Sequence, residues 1–213
     1  TLESVIPNSV VSRWPIKSGS GSIVEDTVSR NNLSIQGATW QSVGDATGGY
    51  ELSFDGIDDS LDGSIMPEID INVAFSFAIT VTPADVLSEQ AIVNQTNADA
   101  NRFGISVTDD GEIAAGQYDG SNFLAVASDS VNADTRYRVV YTYDGVSEGT
   151  LYLNTNSTTS GQIPFTNADQ GFKIGTKTSN SGYFEGNIDA LLVANEEFTQ
   201  SQVNDDYNRQ SWT

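Results

Sequence analysis

The chain contains no cysteine and no histidine. The first absence rules out disulfide staples, thiol catalysis and thiolate metal sites. The second removes the side chain that most often serves as a general base near neutral pH and most often binds zinc. Lysine is scarce, with only Lys17, Lys173 and Lys177. No run approaches the ~18 apolar residues that a membrane helix needs, so membrane insertion is not expected. No basic-then-apolar leader opens the sequence; a signal segment is expected to have been removed, to lie outside these residues or never to have existed.

What is abundant is acid: 29 Asp and Glu against 9 Lys and Arg, a formal net charge of −20 over 213 residues. Such a chain repels phosphate backbones, which excludes nucleic acid as a partner. Self-repulsion of this size opposes compaction at ordinary ionic strength. In molar salt the Debye length falls to about 3 Å and screens it. Few lysines and many aspartates therefore predict a high-salt setting, a halophile or its virus, with an ordinary acidic extracellular protein as the alternative. The length suits one all-β domain over 1–213, and 38% hydrophobic residues supply a core if strand faces alternate.

The dominant period is two. Phe75–Val81 alternates, so one face packs inward and the other meets water, and Arg102–Val107 behaves likewise before the turn signal Asp109-Asp110-Gly111. Arg136–Tyr143 is rich in aromatic and β-branched residues and ends at Asp144-Gly145, with Gly149–Asn154 as its hairpin partner. Phe172–Gly175 and Gly186–Val193 give late strands. Short strands between Gly, Asp and Asn turns predict a two-sheet antiparallel jelly-roll sandwich. Thr199–Tyr207 predicts a short C-terminal helical turn, capped by Thr199, with Val203 and Tyr207 on one face. The Ser18-Gly19-Ser20-Gly21-Ser22 run reads as a loop, not a domain boundary.

Several motifs in this order resemble the concanavalin A-like lectin/glucanase superfamily, in its laminin-G-like branch, nearly end to end. They are Arg13-Trp14-Pro15-Ile16, Asn31–Ile35 with Gly37 and Trp40, Gly49–Asp59 containing Ser53-Phe54-Asp55-Gly56-Ile57-Asp58-Asp59, Phe75–Pro83, Val139–Asn154 and Phe184–Asp189. Two positions depart from the pattern. Thr155 stands where the family often has glycine, so that turn must differ in backbone geometry. Ala190 replaces a second late aspartate.

Three chemistries follow. Calcium takes six to eight oxygens; Asp55, Asp58 and Asp59 share one tight turn, and the resemblance implies that Asp189 lies near them. The same carboxylates serve equally well as turn-formers that accept backbone N–H groups. Glycoside hydrolysis needs two flanking carboxyl groups. Glu68-Ile69-Asp70-Ile71 resembles the family's glucanase strand, but Asn72, Val73 and Ala74 follow where a further Glu would act as the acid. On that ground the chain is expected not to be an enzyme. Sugar sites combine an aromatic platform with amides and carboxylates on loops; Tyr118 with Asn122, Asn180 with Tyr183, and the polar stretch Asn94–Asn97 offer that mixture.

The sequence therefore predicts a recognition or adhesion module that binds glycans or cell-surface proteins on a cell envelope or virus particle. Its candidate ligand residues are Tyr118, Asn122, Asn180 and Tyr183, with calcium at Asp55, Asp58, Asp59 and Asp189. The alternative is a structural module of a virion or surface assembly, forming homo-oligomers without a free ligand.

Overall fold

Alternating β-branched and aromatic residues form strands because their stiff side chains pack well on a pleated surface. A computed structural model describes residues 8–43, 49–64, 66, 73–96, 102–118, 123–160, 171–177 and 179–210. Among them the strands are β1 (Val10–Trp14), β2 (Ile23–Val24), β3 (Leu33–Gln36), β4 (Thr39–Ser42), β5 (Tyr50–Asp55), β6 (Ser60–Gly63), β7 (Phe75–Pro83) and β8 (Gln90–Thr96). They continue with β9 (Arg102–Val107), β10 (Glu112–Tyr118), β11 (Phe123–Ser130), β12 (Tyr137–Tyr143), β13 (Gly149–Leu153), β14 (Asn156–Ser160), β15 (Phe172–Ile174) and β16 (Glu185–Ala194). The chain closes with helix α1 (Gln200–Gln210).

All strand pairs are antiparallel. One eight-stranded sheet runs β14-β13-β12-β7-β16-β5-β4, with β1 also on β16; the second runs β11-β10-β9-β8-β15-β6-β3-β2. Between them lies an aromatic-rich core in which the Phe75 ring meets Phe103, Tyr141 and Tyr143, and Phe172 bridges Phe77 to Trp14. The chain is thus an all-β antiparallel sandwich with one C-terminal helix, as its sequence predicts.

One expectation is corrected. The outer face of β7 does not meet water: Ser76, Ala78 and Thr80 are as buried as Phe75, Phe77 and Ile79. Helix α1 covers that face, and Val10, Ala78, Val140, Tyr152, Leu192, Ala194, Phe198 and Val203 form a second apolar cluster. The helix is longer than one turn because it is docked. Its entry is a reciprocal capping box in which the Gln202 carboxamide oxygen accepts the Thr199 N–H at 2.8 Å, and Thr199 Oγ1 accepts the Gln202 N–H at 3.3 Å. Ser76 fixes the incoming chain by donating to the Glu196 carbonyl and accepting from the Phe198 N–H, both at 2.8 Å.

Under the helix, Arg138 and Asp206 form a buried bidentate pair, Nε to Oδ2 at 2.6 Å and Nη2 to Oδ1 at 3.1 Å. Arg138 Nη1 also donates to the Ala190 carbonyl at 2.7 Å and to Thr80 Oγ1 at 3.2 Å. Ala190 lies in the irregular stretch of β16 between Ile188 and Leu191, where one carbonyl is freed from the ladder. At the turn from β13 to β14, Asn154 takes the left-handed φ of 59°, with Thr155 the second of the two linking residues. That is the φ pattern of a type II′ turn, and it explains how Thr155 replaces a glycine.

Candidate functional site

At one end of the sandwich β5 turns into β6, β7 into β8, and β15 into β16. Each of the first two turns begins with an aspartate whose Oδ1 accepts the N–H two residues on: Asp55 from Ile57 and Asp85 from Leu87, both at 2.8 Å. These Asx turns push an aliphatic side chain to the tip, so Ile57 is 70% and Leu87 83% exposed. Asp144 repeats the device at the β12–β13 hairpin with Val146, at 2.7 Å.

The start of β16 binds both turns. The Gly56 N–H donates to the Phe184 carbonyl at 3.1 Å, and the Ala84 N–H donates to the Glu185 carbonyl at 2.9 Å. Gly186, with φ 142°, lies so close to β7 that a Cβ would stand 3.0 Å from Pro83 Cα and 2.9 Å from the Ala84 nitrogen. Residues 179–184 are tied in as well: the Ala91 N–H donates to the Gly182 carbonyl at 2.8 Å, and Lys177 pairs with Glu89 at 2.8 Å. Buried Phe184 packs edge-on against Phe54, centroids 6.1 Å apart.

Asp55, Asp58 and Asp59 place carboxylate oxygens within 4.8 Å of one another. Asp55 and Asp58 are exposed; Asp59 is buried, and its Oδ2 accepts the Asp55 N–H at 2.9 Å. A Cβ on Gly37, which has φ 80°, would collide with the Asp59 carboxylate. Burial raises the Asp59 pKa; the Asp55 N–H opposes that shift, while the Asp55 and Asp58 charges add to it. Calcium holds its oxygens at about 2.3–2.6 Å, so donors around one ion stand up to about 5 Å apart, and this spacing fits. Each carboxylate engaged with an N–H keeps a second oxygen.

Asp189 does not join them, and that expectation is corrected. The register Ile188 opposite Leu52 brings Asp189 beside Glu51, where it pairs with Arg136, which also reaches Glu51 at 3.5 Å. Asn180 and Tyr183 do lie on the rim loop. Asn180 is exposed at φ 53°, its N–H donating to the Lys177 carbonyl at 2.9 Å, and Tyr183 is half-buried. Tyr118 ends β10 with its side chain outside the described residues, as is the whole of Asn122 and of Glu68–Ile71. The stretch from Asn94 is not a loop: Asn94, Gln95 and Thr96 belong to β8, with Asn94 and Gln95 buried. Gln95 both accepts from the Met66 N–H at 3.4 Å and donates to its carbonyl at 3.3 Å.

Acid stability divides by sign. Burial raises the pKa of Asp59, Glu51 and Glu197; the Asp55 N–H opposes this at Asp59 and the Arg136 charge opposes it at Glu51, while nearby carboxylates add to it at all three. Their ionised forms weigh against the fold at neutral pH, and that penalty is relieved as pH falls through the raised values. Asp85, bonded by the Ser88 hydroxyl and Leu87 N–H, is held low. So are Asp26 and Asp144, where hydrogen bonds outweigh burial. Their contribution is complete above the ordinary carboxylate value near 4 and is lost as pH falls through the lowered ones. The melting temperature is expected to rise as pH drops from 7 toward about 5 and to fall below about 4. Molar salt at pH 7 is expected to raise it too, by screening. A steady decline from pH 7 downward would contradict the assignment.

Residues 55–204 match the family model described as the concanavalin A-like lectin/glucanases superfamily. None of the curated proteins matches the sequence. Among solved structures, Trypanosoma rangeli sialidase in complex with sialic acid superposes with a TM-score of 0.73 at 17% identity, over 97% of this chain and 34% of that one. The binding domain of botulinum neurotoxin serotype D gives 0.73 at 14% identity over 95% and 52%, and that of serotype G 0.73 at 12% over 95% and 51%. The chain therefore spans about a third of the sialidase and half of the neurotoxin domains. These likenesses show the fold. They also overturn the expectation that the chain is not an enzyme, because this architecture occurs within sialidases. A missing glucanase glutamate is no ground for setting enzymes aside.

Proposed function

Because the chain belongs to the concanavalin A-like lectin/glucanase superfamily, we propose that it recognises glycans through the rim where the acidic turn and residues 179–184 converge. The observation that carries this reading is the bond from the Gly56 N–H to the Phe184 carbonyl, which ties the two segments together. A sugar has an apolar face and a belt of hydroxyls. Tyr183 offers the ring, and Asn180, Asp55 and Asp58 offer polar partners. In this reading the setting is the surface of a cell or virus particle in a salty medium, and the glycan is held for adhesion or for processing. The fold shared with a toxin's binding domain supports the recognition role.

A glycan array with wild type, Asn180→Ala and Tyr183→Ala tests it. Saturable binding is expected, weakened roughly tenfold or more by either substitution, about 1.4 kcal/mol. Binding indifferent to both would end this placement. The exposed tips Ile57 and Leu87 favour the second reading, a structural module, which predicts a blank array and a stable oligomer.

Calcium, held by Asp55, Asp58 and Asp59, would neutralise the turn and present open coordination positions to hydroxyls. Calcium at a hundred times its dissociation constant is then expected to stabilise the fold by about 2.7 kcal/mol, and Asp58→Asn to reduce that gain sharply. A melting temperature unmoved by calcium and chelator in matched salt would remove the ion from the account.

A further inference from the structure

Charge is spread unevenly over this acidic chain. Residues 8–43 carry three of the 9 basic residues, Arg13, Lys17 and Arg30, but only two of the 29 acidic ones, Glu25 and Asp26. Elsewhere Arg136, Arg138, Lys173 and Lys177 are each held in ion pairs. Arg13, Lys17 and Arg30 have no such pair among the described residues.

Asp26 is unavailable to them. It is buried, and its carboxylate accepts the N–H groups of Arg13, Val28, Ser29 and Asn31 together with the Ser29 hydroxyl. Since the Arg13 and Asn31 nitrogens lie 2.9 and 3.2 Å from this one carboxylate, the backbone of Arg30 is held beside that of Arg13. From β1 onward burial alternates: Ser12, Trp14 and Ile16 face in, while Arg13, Pro15 and Lys17 face out. An extended run of that length separates Arg13 from Lys17 by about 13 Å.

Two residues beyond Lys17, the chain crosses an aromatic ring. A Cβ on Gly19 would stand 2.6–2.7 Å from three ring carbons of Tyr50, so only glycine permits this approach. Tyr50 is nevertheless 37% exposed. The loop is fixed by the Trp40 indole, which donates to the Gly21 carbonyl at 2.9 Å, and Ser18, Ser20 and Ser22 are exposed along it.

We propose that this flank is a subsite for acidic saccharides, those bearing carboxylate or sulfate groups. Arg13 and Lys17, with Arg30 at one end, take the anionic groups, with guanidinium groups suited to bidentate contact. Tyr50 meets the apolar face of a sugar ring, and the serine hydroxyls meet its rim. Charge complementarity selects the ligand, because a chain of net charge −20 offers an anion little other purchase. The inference rests on the glycan reading but uses a different surface from the rim.

The test is titration of the whole chain with three oligosaccharides of matched size, one carboxylated, one sulfated and one neutral, at low and high salt. At least one acidic probe is expected to bind about tenfold tighter than the neutral one at low salt. That advantage should vanish in Arg13→Gln/Lys17→Gln and at high salt, and fall in Tyr50→Ala. The two acidic arms report which anion is preferred. Equal affinity for acidic and neutral probes, or an Arg13→Gln/Lys17→Gln variant that keeps the preference, overturns the subsite. If neutral binding persists and depends on Tyr183, the flank fails and the rim stands; if no probe binds anywhere, both fail.

Discussion

Replacing Arg138 with methionine is expected to cost about 3–5 kcal/mol, because it leaves a buried aspartate without its cation. Arg138 is 2% and Asp206 7% exposed, so water cannot replace the lost partner. The urea midpoint should fall with little change in slope. Asp206→Ala should cost about as much, since it strands the guanidinium instead. Arg138→Met/Asp206→Leu should recover most of the loss, because replacing both members of a buried pair with apolar residues is often neutral. It should not recover all, since the Ala190 carbonyl then lacks its donor, at about 1–3 kcal/mol. A single-variant cost below about 1 kcal/mol, the scale of an exposed pair, would mean that α1 does not seal this face.

Gly186→Ala is expected to be nearly as damaging. A left-handed φ on a residue with a Cβ costs roughly 1–3 kcal/mol, and forcing a methyl against packed backbone adds about 1–3 kcal/mol. The added carbon would strike the Thr82 carbonyl and crowd Ala84. The cost also reaches the site, since Glu185 and Phe184 hold the Ala84 and Gly56 turns. Circular dichroism melting should show a large drop, and any remaining glycan binding should be weakened at a temperature where the variant is still folded. A melting temperature within a few degrees of wild type would contradict the close approach of β16 to β7.

The elements legible in the sequence are those with a strong local signal. Phe75–Val81 alternates, Arg136–Tyr143 is rich in aromatic and β-branched residues, and Asp55–Asp59 announces a turn. Strands β8, β10 and β11 were harder to see. In β10 the residues between Ile113, Ala115 and Gln117 are the small Ala114 and Gly116, and β8 carries Gln90, Asn94 and Gln95 in buried positions. Polarity in these positions resembles a solvated loop until hydrogen-bond partners are known. The helix-covered face misleads for the same reason: Ser76 and Thr80 alternate with Phe75, Phe77 and Ile79 as water-facing residues would, whereas Ser76 bonds Glu196 and Phe198, and Thr80 bonds Arg138, which α1 pairs through Asp206.

The candidate site was half legible. The acidic turn and the segment from Asn180 to Tyr183 are both legible as turns between strands, but their union through β16 is a tertiary fact. Strand register, invisible in sequence, carries Asp189 to Arg136 and away from the acidic turn. The Arg13–Lys17 flank was missed because its signal is the lack of ion pairs among folded neighbours. One absent glutamate bears on a single mechanism and not on the fold, so it does not set enzymes aside.

Hydrogen–deuterium exchange with a bound glycan tests the central claim most directly. At saturating ligand, amides of residues 55–59, 84–91 and 179–185 should gain protection together, because one rim holds them. Protection confined to the outer face of β8–β10, with those turns unchanged, would contradict it.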